Sequence, residues 1–463
     1  MKERNKELIK NTSLLMLGNI GSKMLSFILI PIYTSILTTS EYGIFDLLST
    51  TESFLIPILT LDIGDAVFRY GIDEELNTNM VFNSGIFLWF SSVFFAIVLT
   101  LFVQNIFDKK YCLFVLLTFI FHSLYTFLIN YSKGVDKLNL IAFGGIINTF
   151  TFGCLCVCLL VIWPLGLNGY MIAYIVGFVF PDIWILVGLR NKINIKIQFI
   201  NLKLLKKMLH YSIPLIFASI SWWIISASDR YMITWFCGSS ENGIYSMSYK
   251  IPNILVSVMT IFSQAWVVSA VKEDDNEFYK KIYRIYTSVL SIVGLILIGF
   301  SEIIGRILYS SDFYIAWKIA PSLIMAAIYQ GLTGFLCDLL TSKKDAVGIA
   351  VSGLTGAFLN IILNIIFIQK FYAMGAAFAT LISMLTVWGF LSIRLKKKYT
   401  INLNSIKDVL HIFLIFISII AIQKSNTFGF IISGISIFVI IIINFSAVKS
   451  LVISIYNKME GVN

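Results

Sequence analysis

Charged residues are scarce in this sequence. Only 13% of its 463 residues are Asp, Glu, Lys or Arg, against about 25% in soluble globular domains. The shortage excludes a water-soluble enzyme of ordinary design. The matching excess, 58% hydrophobic residues and a mean hydropathy of +0.87, points to a polytopic membrane protein. Histidine and cysteine are also few, three and six. Cys154, Cys156 and Cys158 stand two residues apart, a spacing that turns helical side chains to different faces. No acid or histidine lies near them, so they read as packed thiols rather than a metal set. His122, His210 and His411 are dispersed. His122, in the middle of an apolar run, reads as a packed, hydrogen-bonded ring or as a cavity-lining one. No catalytic constellation and no cofactor follow from these residues. Long hydrophilic connections are missing too, none exceeding roughly twenty residues, which excludes an appended soluble catalytic domain.

What is present is a succession of apolar runs long enough to cross a bilayer as helices, each needing about 20 residues. They fall at 8–37, 41–70, 80–104, 111–132, 138–162, 168–189, 209–236, 241–271, 279–304, 313–341, 346–369, 372–394, 406–423 and 427–448. None alternates as barrel strands do. The expected fold is all-α integral membrane with about fourteen transmembrane helices. The first run is too long for a cleavable signal peptide, holds Lys23 and lacks a small-residue cleavage site. Placing the N terminus in the cytoplasm puts 26 of the 35 basic residues on that side. Lys109, Lys110, Arg306, Lys370 and Lys424 fall on the other. The positive-inside rule therefore expects both termini in the cytoplasm. The net charge of +10 is mostly this asymmetry and argues for no nucleic-acid partner. The basic, apolar connection NKINIKIQFINLKLLKKMLHY is expected to lie at the cytoplasmic interface.

Four bases remain inside spans, Lys23, Arg230, Lys250 and Lys318, along with the acids Asp46, Glu52, Asp62, Asp65, Asp182, Asp229 and Asp338. A charge near a helix centre costs about 2.5–3.5 kcal/mol on insertion scales, so such residues are expected to face a bundle interior or a wet cavity. Snorkelling is the competing account near span ends, as for Lys318, Asp62, Asp65 and Asp338. Lys23 and Glu52 are too deep for it. Asp229 and Arg230 are neighbours in sequence, and adjacent helical residues point about 100° apart, so each is expected to find its own partner.

The chain also repeats. EYGIF, Glu41 to Phe45, returns as ENGIY, Glu241 to Tyr245, at an offset of 200. Both copies begin the second member of a helix pair, just after a short outer turn, and the copies lie six spans apart. An even number preserves orientation. The expectation is two six-helix lobes, 1–200 and 201–400, related by a pseudo-two-fold along the membrane normal with a cavity between them, and two extra helices in 401–463.

PIYTSILTTSEYGIFDLLS (Pro31 to Ser49) and DRYMITWFCGSSENGIYSMSYKIPNILVSVMTIFSQAW (Asp229 to Trp266) resemble the two signatures of Wzx-type polysaccharide-biosynthesis flippases. These belong to the multidrug/oligosaccharidyl-lipid/polysaccharide exporter superfamily, and the resemblance covers about the first 400 residues. It implies a flippase in the bacterial cytoplasmic membrane that moves undecaprenyl-pyrophosphate-linked oligosaccharide from the inner to the outer leaflet by alternating access. The product would be O-antigen, capsule or a similar surface polysaccharide. Implied partners are the lipid-linked oligosaccharide, membrane lipids, and the polysaccharide polymerase with its chain-length machinery. Carried over residue by residue, Arg230 and Lys250 match cavity cations, with Asp229 as a partner. Lys23 joins them on depth, and Lys318 completes the embedded bases. Ser257 and Val258 stand where the lipid II flippase has paired arginines, which argues against lipid II as substrate. Glu52 or Asp46 is the candidate for coupling a proton or a sodium ion. Gly18, Gly21, Pro31, Pro57, Pro214 and Pro252 are candidate bending points. A multidrug antiporter of the same superfamily would have an acid-dominated cavity, and a polysaccharide polymerase or glycosyltransferase would need a larger extramembrane loop. A scaffold without transport would require no deep charges.

Overall fold

The computed structural model describes residues 21–445 apart from 74, 195, 273–274, 344 and 404–405. The start of the first expected span, with Lys2, Arg4, Lys6, Lys10 and Gly18, lies outside the described residues, as do Lys344 and the tail bearing Lys449 and Lys458. Among the described residues the chain is helical and forms no strand. The helices are α1 (residues 21–34), α2 (Thr39–Leu59), α3 (Ile63–Gly71), α4 (Thr78–Val103), α5 (Lys109–Gly134), α6 (Leu138–Cys156, extended by a π-helical turn over Val157–Ile162) and α7 (Gly166–Leu189). Then follow α8 (Leu202–Cys237), α9 (Ser239–Ser248), α10 (Pro252–Lys272), α11 (Asn276–Gly299), α12 (Ser301–Leu308), α13 (Ala316–Ser342), α14 (Ala346–Tyr399), α15 (Ile406–Lys424) and α16 (Asn426–Ile443).

Among the described residues nine helices are long and apolar enough to cross a membrane, or ten if the bent pair α2–α3 is one span. The fourteen expected spans resolve onto these once α14 is read as two, together with α1, α8 and the α9–α10 pair. As one rod, the 53 residues Val347–Tyr399 would extend about 80 Å, far beyond a bilayer core of about 30 Å. The chain turns back at Tyr372, whose φ is 54°. Pairs on either side converge on that turn: Asp345 with Arg394, Gly356 against Val387, and Asn360 with Thr380.

Three expected spans are interrupted. The run 41–70 is α2 and α3, bent by 56°. Pro57 has no N–H to continue the helix, and Leu61 and Asp62 follow with φ of 52° and 49°. The run 241–271 breaks over residues 249–251, with Pro252 at the first position of α10, where it starts a helix rather than bending one. The run 279–304 parts at Phe300. The seventh span was expected from 209, yet α8 starts at Leu202. Leu204, Leu205 and Met208 pack into a core with Ile63, Phe82, Phe127, Tyr131 and Leu189. Lys203, Lys206 and Lys207 stay exposed on the same turns.

The chain divides into two compact units, Met1–Ala227 and Ser228–Asn463, the division falling within α8. In the first, α5 packs against α2, α3 and α7. In the second, α13 is the central helix, its residues buried over most of their length against α10, α11 and α14. Each unit repeats one construction. Helices α2 and α9 begin at Thr39 and Ser239, and Phe45 and Tyr245 are both buried. The Glu41 carboxylate closes a capping box with Thr38 and lies beside Gly166 at the turn into α7. The Glu241 carboxylate accepts the backbone N–H of Ala373, at the turn inside α14, at 3.0 Å. Both turns use a residue of positive φ, Gly166 at 55° and Tyr372 at 54°. Three residues later, Gly169 and Gly375 let the returning helix meet the carbonyls of Leu159 and Phe367, where a Cβ would collide.

Candidate functional site

Among the described residues of the first unit the most buried acidic residue is Glu52 on α2. Its side chain is 1% exposed, and its Oε1 lies 2.8 Å from Nδ1 of His122 on α5. Its Oε2 is buried with no hydrogen-bond partner among the described residues. His122 is 28% exposed, and its ring stacks on Phe178 of α7 at 4.3 Å and 17°. Sequence reasoning singled out both residues separately. Their pairing links positions 70 apart, which no local pattern reports. Asp46, almost two turns before Glu52, is half-buried. Asp182 on α7 is 3% exposed with both carboxylate oxygens lacking a partner among the described residues. Toward the α2–α3 break lies a small cavity lined by Asp62, Asp65, Asn130, Ile56 and Thr126. Ser219 donates to Asp62 at 2.8 Å.

In the second unit, Asp229 of α8 is fully buried. Its Oδ2 accepts hydrogen bonds from the Tyr245 hydroxyl and, at 3.2 Å, from Thr380. Asn360 donates to Thr380 at 3.4 Å, and Asn364 to Asn360 at 2.9 Å. The Arg230 guanidinium lies over the Tyr249 ring, 5.1 Å from its centroid. Tyr249 is also bonded to Tyr245 at 3.1 Å. The two adjacent charges thus lead into one aromatic pair by separate routes, a carboxylate–phenol bond and a cation–π contact. Tyr245 had a sequence signal as the last residue of the repeated ENGIY. Thr380, Asn360 and Asn364 had none beyond the four-residue spacing of the asparagines.

The remaining candidate cations are scattered. Lys250 is half-buried in the break between α9 and α10, next to Tyr249, rather than within a helix. Lys318 is exposed in the first turn of α13, 6.0 Å from the Trp317 ring centroid, and its carbonyl accepts from Gln423 of α15. Lys23 is exposed on α1. Within the second unit the structure gathers Asp229 and Arg230 around Tyr245 and Tyr249, leaves Lys250 in the adjacent break, and sets the Lys318 backbone against α15. No group of three or more His, Cys, Asp or Glu suited to a metal occurs among the described residues.

Many apolar helices, interrupted spans and buried charges define an all-helical, multi-pass membrane protein with a transporter fold. The chain belongs to the polysaccharide biosynthesis protein family, whose model matches residues 8–268. It is similar to a protein named probable flippase AglR from Haloferax volcanii, 27% identical over 180 residues, 36% of this chain and 37% of that protein. It is also similar to the uncharacterized membrane protein MJ1375 of Methanocaldococcus jannaschii, 23% identical over 436 residues, 84% of this chain and 99% of that one. The chain thus spans about a third of the first relative and nearly all of the second. Among solved structures, the fold matches the lipid II flippase MurJ in an inward closed conformation. The TM-score is 0.73, at 14% identity, over 94% of this chain and 99% of that one. An inward-facing multidrug resistance MATE transporter of the MOP superfamily matches with TM-score 0.67, at 11% identity, over 82% and 94%. The two sequence motifs and the family match therefore agree on a polysaccharide biosynthesis protein, and the fold is the one these solved transporters share.

Proposed function

We propose that this protein is a flippase that carries an undecaprenyl-pyrophosphate-linked oligosaccharide from the cytoplasmic to the outer leaflet by alternating access. It would act in the bacterial cytoplasmic membrane, with both termini inside, and supply surface polysaccharide synthesis such as O-antigen or capsule. The observation that carries this reading is the family match over residues 8–268, which includes Asp229, Arg230 and Lys250. The chemistry is consistent with it. A pyrophosphate head must cross a region of low dielectric, where cations act far more strongly than in water. Arg230 supplies a planar fork for phosphate oxygens and Lys23 and Lys250 supply point charges. Ser257 is half-buried and Val258 exposed on α10, so the pair of arginines expected for lipid II is replaced by small uncharged groups. The embedded bases also weigh against a cation-exporting multidrug antiporter, and the transporter fold against a polymerase. The test is lipid-extract analysis of a deletion strain. Lipid-linked repeat units should accumulate and surface polysaccharide should disappear, both restored by the intact gene. Normal surface polysaccharide in the deletion strain overturns the reading.

A further inference from the structure

We infer that the connection between α7 and α8, together with the first turns of α8, is a docking site for the headgroup of an anionic phospholipid. The inference stands apart from the transport reading, which a lipid-binding measurement does not touch. From Arg190 to Ser228 the chain holds Arg190, Lys192, Lys196, Lys203, Lys206 and Lys207 and no acid. All six bases are exposed. Among the described residues none of them joins an ion pair, whereas Lys280, Arg306, Arg394 and Lys398 each hold a carboxylate. The turn before α4 carries Asp73 and Glu75, and neither pairs with these bases among the described residues. A cluster of this size beside a membrane span attracts anionic headgroups.

Bases that serve only to orient spans need no fixed shape, and here the backbone carrying them is fastened. The Asn79 side chain accepts the Asn194 N–H at 2.8 Å. Asn83 donates to the Asn194 carbonyl at 2.9 Å and accepts the Lys196 N–H at 3.0 Å. Ser84 accepts the Asn201 N–H at 3.1 Å, and Asn201 in turn caps α8 by accepting the N–H of Leu204 at 3.0 Å. Asn83 and Ser84 are buried. Leu204, Leu205 and Met208 are buried in the core of the unit, which turns Lys203, Lys206 and Lys207 outward. The level of the cluster identifies the occupant. On α7 the exposed residues Ile183, Trp184, Leu186 and Val187 are apolar, and Arg190 follows directly. On α8 the bases end at Lys207, and Ile213 and Phe217 are exposed one to three turns further on. Apolar surface thus continues into basic surface on both helices. A ligand that covers both has an anionic head and apolar tails, as a phospholipid does, and lysine stems extend readily along such a boundary. An acidic protein segment would satisfy the bases and leave the apolar part uncovered.

The experiment titrates the full-length protein in neutral detergent with phosphatidylglycerol or, as the uncharged control, phosphatidylcholine of the same chains, and counts bound lipid by native mass spectrometry. Phosphatidylglycerol should bind at least about tenfold more tightly. Each base near an anionic headgroup contributes about fivefold in affinity. Replacing three together, Lys203→Gln, Lys206→Gln and Lys207→Gln, should therefore weaken phosphatidylglycerol about a hundredfold, or to the level of phosphatidylcholine. Asn83→Ala keeps every charge and releases the connection, so it should weaken binding several-fold. If that protein does not accumulate, Lys192→Gln with Lys196→Gln takes its place with the same expectation. Lys396→Gln with Lys397→Gln removes two exposed bases at the end of α14, in the other unit, and should change the affinity less than about twofold. Equal affinity for the two lipids overturns the inference. So does a loss on changing α14 as large as that on changing α8, or wild-type binding by the protein with the connection released, since charge alone would then account for the lipid.

Discussion

Asp345 and Arg394 are joined by two hydrogen bonds of 2.8 Å each, across 49 residues of sequence. The bidentate pair sits at the mouth of the hairpin that α14 makes about Tyr372, and Lys398 adds a contact at 3.3 Å. Asp345 also caps the helix it precedes, accepting the N–H of Gly348 at 3.1 Å. One carboxylate therefore begins the outgoing half and holds the end of the returning half.

The Arg394 guanidinium, helped by the Gly348 amide and Lys398, holds the Asp345 carboxyl well below the usual carboxylate range, against the opposing effect of burial. A carboxyl depressed on folding contributes stability that is fully present above its unfolded value, about 3.9. That contribution is lost as pH falls through the folded value. Thermal unfolding in detergent, followed between pH 3 and 7, should show an acid-side loss of stability that Asp345→Asn reduces. Arg394→Ala should lower the midpoint by several degrees at pH 7, and Arg394→Lys should recover part of it, because one ammonium cannot replace the planar fork. An Arg394→Ala protein as stable as the wild type would show that the hairpin needs no clasp.

The number and order of spans were legible in the sequence because insertion energetics act on each run by itself. The repeat was legible because Glu41 and Glu241 stand at equivalent places in α2 and α9, each near the turn into a later helix of its own unit. The breaks were less so. Pro57 marked the neighbourhood of the α2–α3 bend, but the residues that take positive φ are Leu61 and Asp62, and at α14 it is Tyr372. Of the three only Asp62 is a residue type that advertises a turn, and Leu61 and Tyr372 are not. Candidate charges were found by depth, whereas their partners were not. Thr380 is 151 residues from Asp229, and His122 is joined to Glu52 through tertiary packing. Contacts of that range leave no periodic trace.

Topology gives a direct check on the positive-inside count. A reporter fused after Asn457, which lies outside the described residues, should be cytoplasmic. A tag at Ser239, the first residue of α9, should be accessible from outside the cell. Labelling in the opposite sense at either position would invert the map.

For the embedded bases, Lys23→Ala and Arg230→Ala should insert at normal abundance and reduce transport roughly 10- to 100-fold each. That matches the loss of a hydrogen bond to a charged group of about 1.5–3 kcal/mol. Arg230→Lys should rescue in part. Complementation of surface polysaccharide, with protein abundance measured alongside, supplies the comparison. Full transport by both alanine variants would remove these residues from the substrate route.

Asp182 offers a contrast, since its carboxylate oxygens are buried without partners among the described residues. Replacing an unsatisfied buried polar group by an apolar one of similar size removes a desolvation cost of about 1–3 kcal/mol. Asp182→Leu should therefore raise the unfolding midpoint. Stability and transport read together decide its role. A more stable, fully active variant makes the carboxyl dispensable, and a more stable but inactive one assigns it a place in the cycle.

The last test concerns the adjacent pair on α8. Asp229 is held by Tyr245 and Thr380, while Arg230 lies over Tyr249. Exchanging the two, Asp229→Arg with Arg230→Asp, keeps the net charge and the depth but turns each charge by about 100°. The new arginine would face the Tyr245 and Thr380 hydroxyls and the asparagines beyond them, where an anion is now accommodated. The new carboxylate would face the electron-rich ring of Tyr249, which attracts a cation and repels an anion. The exchanged protein is therefore expected to reach the membrane and fail to complement a flippase-deficient strain. Tyr249→Leu should weaken transport without abolishing it, because the guanidinium keeps its charge and loses its platform. An abundant, fully active exchanged protein would mean that the two charges merely neutralise each other, and the separate hydrogen-bond and ring contacts would then carry no functional weight.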